Sequence, residues 1–166
     1  MRCKIIISTI LIFALSVVVA SAANVNFNGT WVMDSSRSIG QPPNSEQTMI
    51  IKQTDETIQF EFKLATPQGV RTITDNYTLD GKEAEFTPQV PPGAPPAKGK
   101  RNVTWLPRGN GIVVTEETSA ETPSGTVKTQ QTRKWMLSPD GQTLTIDLYF
   151  DGPTVSFETR RVFVKK

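Results

Sequence analysis

The alternation that decides the fold is clearest in Thr57-Ile58-Gln59-Phe60-Glu61-Phe62-Lys63-Leu64, where polar and apolar side chains follow one another strictly. A β-strand turns successive side chains to opposite faces, so this period of two predicts a strand with one buried face. Residues 142–150 show the same alternation. No stretch after residue 23 carries an apolar stripe with helical spacing. The pattern therefore predicts an all-β chain.

Turn signals such as Asp80-Gly81, Pro139-Asp140-Gly141 and Gly152-Pro153 separate the strand-like stretches. Because the connections are short, neighbouring strands are expected to pair antiparallel in an up-and-down meander. A meander closed into a barrel has no exposed sheet edges, so we predict such a barrel with about 8–10 strands. The predicted strands cover residues 29–34, 47–53, 57–65, 70–79, 82–87, 100–106, 111–120, 126–137, 142–150 and 154–164.

The amino-terminal segment has the features of a signal peptide. Arg2 and Lys4 precede an apolar run that ends in the small-residue cleavage pattern Ala20-Ser21-Ala22. The run is short for a membrane span, and no stop-transfer charge follows it. We predict a signal peptide at 1–22 and a single domain at 23–166. That domain is expected to be secreted or periplasmic, without a membrane span.

Composition excludes several classes of function for residues 23–166. The chain has no His, and its one cysteine is Cys3. This excludes a zinc site of the usual kind, a Ser-His-Asp triad, a Cys nucleophile and a His-ligated haem. We therefore expect no enzyme, no cofactor and no metal. Of 18 basic and 16 acidic residues, Arg2 and Lys4 lie in the signal segment, so the charges of the remainder balance and nucleic acid is not an expected partner.

Alternation places charged side chains on faces that otherwise carry aromatic residues. If aromatic residues point inward, Trp105 brings Arg101 with it, and Ile112 brings Glu116. One explanation is a water-containing lumen in which polar groups orient a mainly apolar ligand. The other is that a bulge shifts the register, or that these residues lie in solvent at the barrel mouths. The polar residues assigned to the inward face are Arg71, Asp75, Arg101, Glu116, Gln131, Arg133 and Arg161.

With Gly29-Thr30-Trp31 on the first strand and an arginine on the last, the chain resembles the lipocalin and wider calycin group. It is also similar to uncharacterised lipocalin-like exported proteins of bacteria. In the calycin group the first-strand Trp packs at the closed end against a basic residue of the last strand. The resemblance thus implies structural roles for Trp31 and Arg161, since alternation puts Arg161 on the face of Phe163 and Arg160 on the other.

The chain departs from the family pattern in two respects. Lipocalins have eight strands and a helix after the barrel, and fatty-acid-binding proteins have ten strands and a helical lid, whereas no helix is predicted here. Avidins share the Gly-Thr-Trp strand, but their ligand residues have no counterparts beyond Trp31, so biotin is not implied.

The leading hypothesis is a barrel that binds a small, apolar or amphipathic molecule in its lumen. An arginine is the expected partner of an acidic head group. The alternative is a protein-binding module, such as an exported inhibitor or envelope scaffold, with a filled barrel and an exposed apolar patch near the Pro-rich loop 88–96. No residue spacing indicates catalysis. The candidate ligand-binding residues are Phe60, Phe62, Arg71, Tyr77, Trp105, Arg133 and Trp135.

Overall fold

The computed structural model describes residues 24–40, 47–66, 69–90 and 93–166. The predicted signal peptide at 1–22 lies outside these residues. Within the described ranges there is no helix that is long and apolar enough to cross a membrane. The strands are β1 (Gly29–Met33), β2 (Gln47–Gln53), β3 (Thr57–Thr66), β4 (Gly69–Thr78), β5 (Ala84–Phe86), β6 (Ala97–Trp105), β7 (Gly111–Thr122), β8 (Gly125–Leu137), β9 (Thr143–Asp151) and β10 (Ser156–Lys165).

All ten predicted strands are confirmed, with ends that differ by a few residues. They form one antiparallel sheet in which each strand pairs with its sequence neighbours, apart from β4 and β5, and β1 also pairs with β10. The up-and-down meander is therefore confirmed. The order across the sheet is β4-β3-β2-β1-β10-β9-β8-β7-β6-β5.

The backbone pairing seen in the described residues does not close the sheet, so the predicted closure stays a prediction. Among the described residues no backbone ladder joins β4 to β5, so these two strands are the edges of the sheet. β5 has only three residues, and the chain after Phe86 contains Pro88, Pro95 and Pro96, which lack the amide hydrogen that a ladder needs. The Pro-rich stretch therefore accounts for the short strand.

The chain before β1 closes one end of the barrel, which we call the closed end. Phe27 is fully buried there, and its ring contacts the rings of Trp105 and Trp135. The carbonyl oxygen of Phe27 accepts a hydrogen bond of 2.9 Å from the indole nitrogen of Trp31. The side chain of Gln53 accepts a hydrogen bond from the Phe27 amide at 2.8 Å. These bonds satisfy buried polar groups in the middle of an apolar core.

The cation opposite Trp31 is Lys165, and the expected pairing with Arg161 is wrong. Trp31 lies directly across from Lys165 in the β1–β10 ladder, and the Lys165 ammonium nitrogen is 5.3 Å from the centre of the indole ring. Arg161 lies two inward-facing positions closer to the other end of the barrel, where its guanidinium is 5.5 Å from the Phe62 ring. Both cations are on the inward face of β10, so the register of the ladder decides which one meets the Trp.

Candidate ligand-binding chamber

Inward-facing side chains become more exposed with distance from the closed end. On β4, Tyr77 is buried, Ile73 is half-buried and Arg71 is exposed. On β10, Phe163 is buried, whereas Phe157 is 43% exposed although it faces inward. An inward-facing phenylalanine that water reaches indicates that the barrel is open at this end.

We call this half of the interior the open-end chamber. Its walls combine apolar and cationic side chains, the mixture that small-molecule sites use for affinity and orientation. The rings of Phe150 and Phe157 stack with their centres 5.0 Å apart. The inward-facing, half-buried or exposed residues that define the chamber are Phe62, Leu64, Arg71, Ile73, Thr129, Gln131, Arg133, Leu148, Phe150, Phe157, Thr159 and Arg161.

A buried carboxylate, Glu116 of β7, lies at the floor of the chamber between three hydrogen-bond donors. The Arg101 Nε is 2.5 Å from its Oε1, and the Arg133 Nη1 is 2.9 Å from its Oε2. Gln131 donates a further bond to Oε2 at 3.1 Å. A buried charge is tolerated when it is paired and hydrogen-bonded in this way. The predicted inward orientation of these residues is confirmed.

Arg101 also joins the two edges of the sheet. Its Nη2 is 2.5 Å from Oδ2 of Asp75 on β4, and its Nη1 donates to Asp75 Oδ1 and to the carbonyl oxygen of Asn76. Burial by itself lowers the pKa of Arg101, but the hydrogen bond to Asp75 and the charge of Glu116 outweigh burial and raise it. Arg101 is therefore fully charged in the folded protein.

Tyr77 and Arg133 extend the network across the interior. The Arg133 Nη1 donates a bond of 3.1 Å to the Tyr77 hydroxyl. Burial raises the pKa of Tyr77 to about 12, so the phenol stays neutral at physiological pH. For Arg133, burial lowers the pKa, while the neighbouring Tyr77 and Glu116 raise it and prevail.

Arg161 differs from the other two interior arginines because it has no acidic partner among the described residues. None of the ion pairs there includes it. Its Nε is buried without a hydrogen-bond partner. Burial lowers its pKa, and repulsion from Arg133 lowers it further. Arg161 is thus a cation in a partly apolar site whose compensating charge the described chain does not supply.

The predicted candidates divide between the chamber and the core. Phe62 and Arg133 lie in the chamber, and Arg71 lies at its exposed rim. Tyr77 and Trp135 are almost fully buried in the closed-end core, where their ring centres are 5.7 Å apart. The two remaining candidates pack against this core and are half-buried: Phe60 and Trp105.

The sequence does not distinguish Phe150, Phe157 or Arg161 as ligand-binding residues. Alternation places Phe157 and Arg161 on one inward face of the last strand. The distinguishing property of Arg161, its lack of a carboxylate neighbour, depends on packing between strands that are distant in sequence.

No group of at least three His, Cys, Asp or Glu side chains within the described part of the chain is arranged to hold a metal ion.

No protein-family profile matches the chain, and no curated protein matches it. The chain does match solved structures. The chain is similar to the zebrafish ileal bile acid-binding protein complexed with cholic acid, with a TM-score of 0.51 and 18% identity, over 84% of this chain and 98% of that one. It also matches secretory abundant heat soluble protein 4 from Ramazzottius varieornatus, with a TM-score of 0.44 and 12% identity, over 84% and 94% of the two chains. The first similarity shows the fold, which is a calycin-like β-barrel.

Proposed function

We propose that this barrel binds a small amphipathic molecule with an anionic head group in the open-end chamber. The observation that carries the proposal is Arg161, a half-buried cation without an acidic partner among the described residues. A charge removed from water is costly unless another charge compensates it. A carboxylate or a similar anion from a ligand would provide that compensation and accept charge-assisted hydrogen bonds.

The charge of the interior supports a singly charged anion. Among the described residues, the buried and half-buried inward-facing ionic groups are three guanidinium groups and two carboxylates, which leaves one positive charge in excess. The guanidinium groups belong to Arg101, Arg133 and Arg161, and the carboxylates to Asp75 and Glu116.

The walls around Arg161 suit an apolar tail. The ring of Phe62 lies against the Arg161 guanidinium. The stacked rings of Phe150 and Phe157 are part of the chamber wall toward the open end. At the level of the fold, the bile acid bound by the zebrafish protein supports a ligand of this class. The alternative of a protein-binding module requires a filled barrel, and the exposure of the inward-facing Phe157 favours the ligand hypothesis.

The cellular location belongs to the same proposal. We infer from the sequence that residues 1–22 direct export and that the barrel acts in a secreted or periplasmic setting, as lipocalin-like exported proteins of bacteria do. Sequencing the amino terminus of the protein after expression in its own host tests this, because export predicts a mature chain that starts at Ala23.

The ligand proposal is tested by calorimetric titration with hexadecanoate and its methyl ester. We expect the acid to bind more tightly than the ester in the wild type, and Arg161→Met to remove this preference. Arg160→Met is the matched control, because Arg160 is the adjacent residue, faces outward and pairs with Asp147. If Arg161→Met weakened acid and ester equally, Arg161 would not be the residue that recognises the anion.

A further inference from the structure

One side chain spans the opening between the two sheet edges. No ladder joins β4 to β5 among the described residues, yet Arg101 of β6 reaches Asp75 of β4 with two hydrogen bonds of 2.5 and 3.0 Å. Its guanidinium carbon is 4.7 Å from the centre of the Tyr77 ring on β4 and 4.1 Å from that of Phe86 on β5. The guanidinium therefore contacts an aromatic ring from each edge strand.

The contacts of Arg101 fall into two groups. Those to Glu116 of β7 and Phe86 of β5 lie on its own side of the opening. Those to Asp75, to the Asn76 carbonyl and to Tyr77 cross the opening. If β4 moved away, Arg101 would keep its bond to Glu116, and Glu116 would keep Arg133 and Gln131. Breaking only the crossing contacts therefore leaves no buried charge unpaired.

Asp75 also tolerates separation from Arg101. The Asp75 side chain is 33% exposed, so water can hydrate its carboxylate when Arg101 leaves. An ion pair with one partly hydrated member is a weaker constraint than a fully buried pair. Above this contact, toward the open end, the inward-facing β4 residues are the half-buried Ile73 and the exposed Arg71, which belong to the chamber.

We infer that the Arg101–Asp75 contact is the latch of a side entrance, through which the ligand enters and leaves the open-end chamber between β4 and β5. The inference rests on the proposed ligand binding. A backbone ladder would hold the two strands together with a row of hydrogen bonds, whereas here a few side-chain contacts hold them. Separating β4 from β5 would therefore uncover the chamber without disrupting the paired sheet.

The test compares rates with affinity, because a latch limits both entry and exit while a ligand contact changes affinity. Stopped-flow fluorescence with cis-parinaric acid, an intrinsically fluorescent fatty acid, would measure both rate constants. Asp75→Asn removes the ion pair and keeps the shape of the side chain. The matched control is Asp147→Asn, which removes an ion pair of the same type, with Arg160, from the outer face. Arg101→Met is a second variant, which removes every crossing contact of Arg101 and leaves the bond from Arg133 to Tyr77 in place.

We expect Asp75→Asn to raise both the association and the dissociation rate constants by about tenfold, the scale of one lost charge-assisted hydrogen bond. Because this variant adds one positive charge to the interior, Kd for the anionic probe should become somewhat lower. Arg101→Met removes one positive charge and should raise Kd, but it should also raise both rate constants, and Asp147→Asn should change neither rate. Unchanged rates in folded Asp75→Asn and Arg101→Met proteins would overturn the latch, as would a change in the dissociation rate alone. If cis-parinaric acid and hexadecanoate both fail to bind the wild type, the proposed function falls, and the latch falls with it.

Discussion

Lys165 packs its side chain over Gly29 and holds its ammonium nitrogen 5.3 Å from the centre of the Trp31 ring. A β-carbon at Gly29 would lie 2.8 Å from Lys165 Cε, closer than side-chain carbons approach one another. Gly29 also has a φ of +142°, which L side chains rarely adopt. The Gly-Thr-Trp motif thus leaves room for the lysine that covers the tryptophan and joins the first strand to the last.

Gly29→Ala is expected to lower the free energy of unfolding by about 1–3 kcal/mol, because it places an L side chain at a φ of +142°. Urea unfolding would measure it. The Lys165 carbon that the added β-carbon would meet is at the flexible end of an exposed side chain, which can move aside, so the substitution should cost nearly the same in the Lys165→Ala background. A much smaller cost in that background would show that contact with Lys165, rather than backbone strain, determines the need for glycine.

Trp31→Ala should destabilise the protein by about 3–5 kcal/mol, because the fully buried indole fills the closed end and its loss leaves a cavity. Thermal unfolding would detect the change as a lowered Tm. Val32→Ala is a suitable control, since this neighbouring side chain is half exposed and should have a small effect. An unchanged Tm in Trp31→Ala would contradict the position of the indole in the core.

Glu116→Gln is expected to cost about 3–5 kcal/mol, because it leaves Arg101 and Arg133 without the carboxylate they share. Chemical unfolding should show the loss. The adjacent Glu117 is exposed and faces outward, so Glu117→Gln should stay within about 0.5 kcal/mol of the wild type. Similar losses in the two variants would mean that the buried Glu116 stabilises the fold no more than an exposed carboxylate does.

Alkaline pH should destabilise the fold partly through Tyr77. Its folded-state pKa is about 12, against 10.0 for the exposed group, so the unfolded chain loses the phenolic proton first. Stability from this group is complete below pH 10.0 and is lost as pH rises toward about 12. The maximum loss is about 2–3 kcal/mol.

The variant Tyr77→Phe isolates this contribution. Its stability should fall less steeply than that of the wild type over the same alkaline range, whereas Tyr149→Phe, which alters the half-exposed tyrosine of β9, should follow the wild type. Parallel pH profiles for wild type and Tyr77→Phe would contradict a buried, neutral phenol.

Much of the architecture follows from local sequence. Alternation predicts the strands and the inward face of each, including the inward positions of Arg101 and Glu116. Partners across the barrel depend on stagger between distant strands, which alternation does not encode. Arg161 and Lys165 show this limit well. They are four residues apart on the same face of β10, and only the pairing of Trp31 with Lys165 tells which cation covers the indole.

The lack of a ladder between β4 and β5 among the described residues has the same origin. The sequence contains the Pro residues that end β5, but it does not state which strands would meet at the last edge. For the same reason the sequence predicts only part of the candidate site. Phe62 and Arg133 belong to the chamber, while the unpaired state of Arg161 emerges only when every acidic side chain of the described interior has been assigned to another partner.

Native mass spectrometry of the protein purified from its own host, with extraction of bound small molecules, tests the central claim most directly. The account predicts a stoichiometric adduct that is an amphipathic monoanion, and its loss or marked depletion in Arg161→Met but not in Arg160→Met. A bare mass that does not shift when hexadecanoate or other apolar acids are added would contradict a ligand-binding chamber and indicate a filled barrel instead.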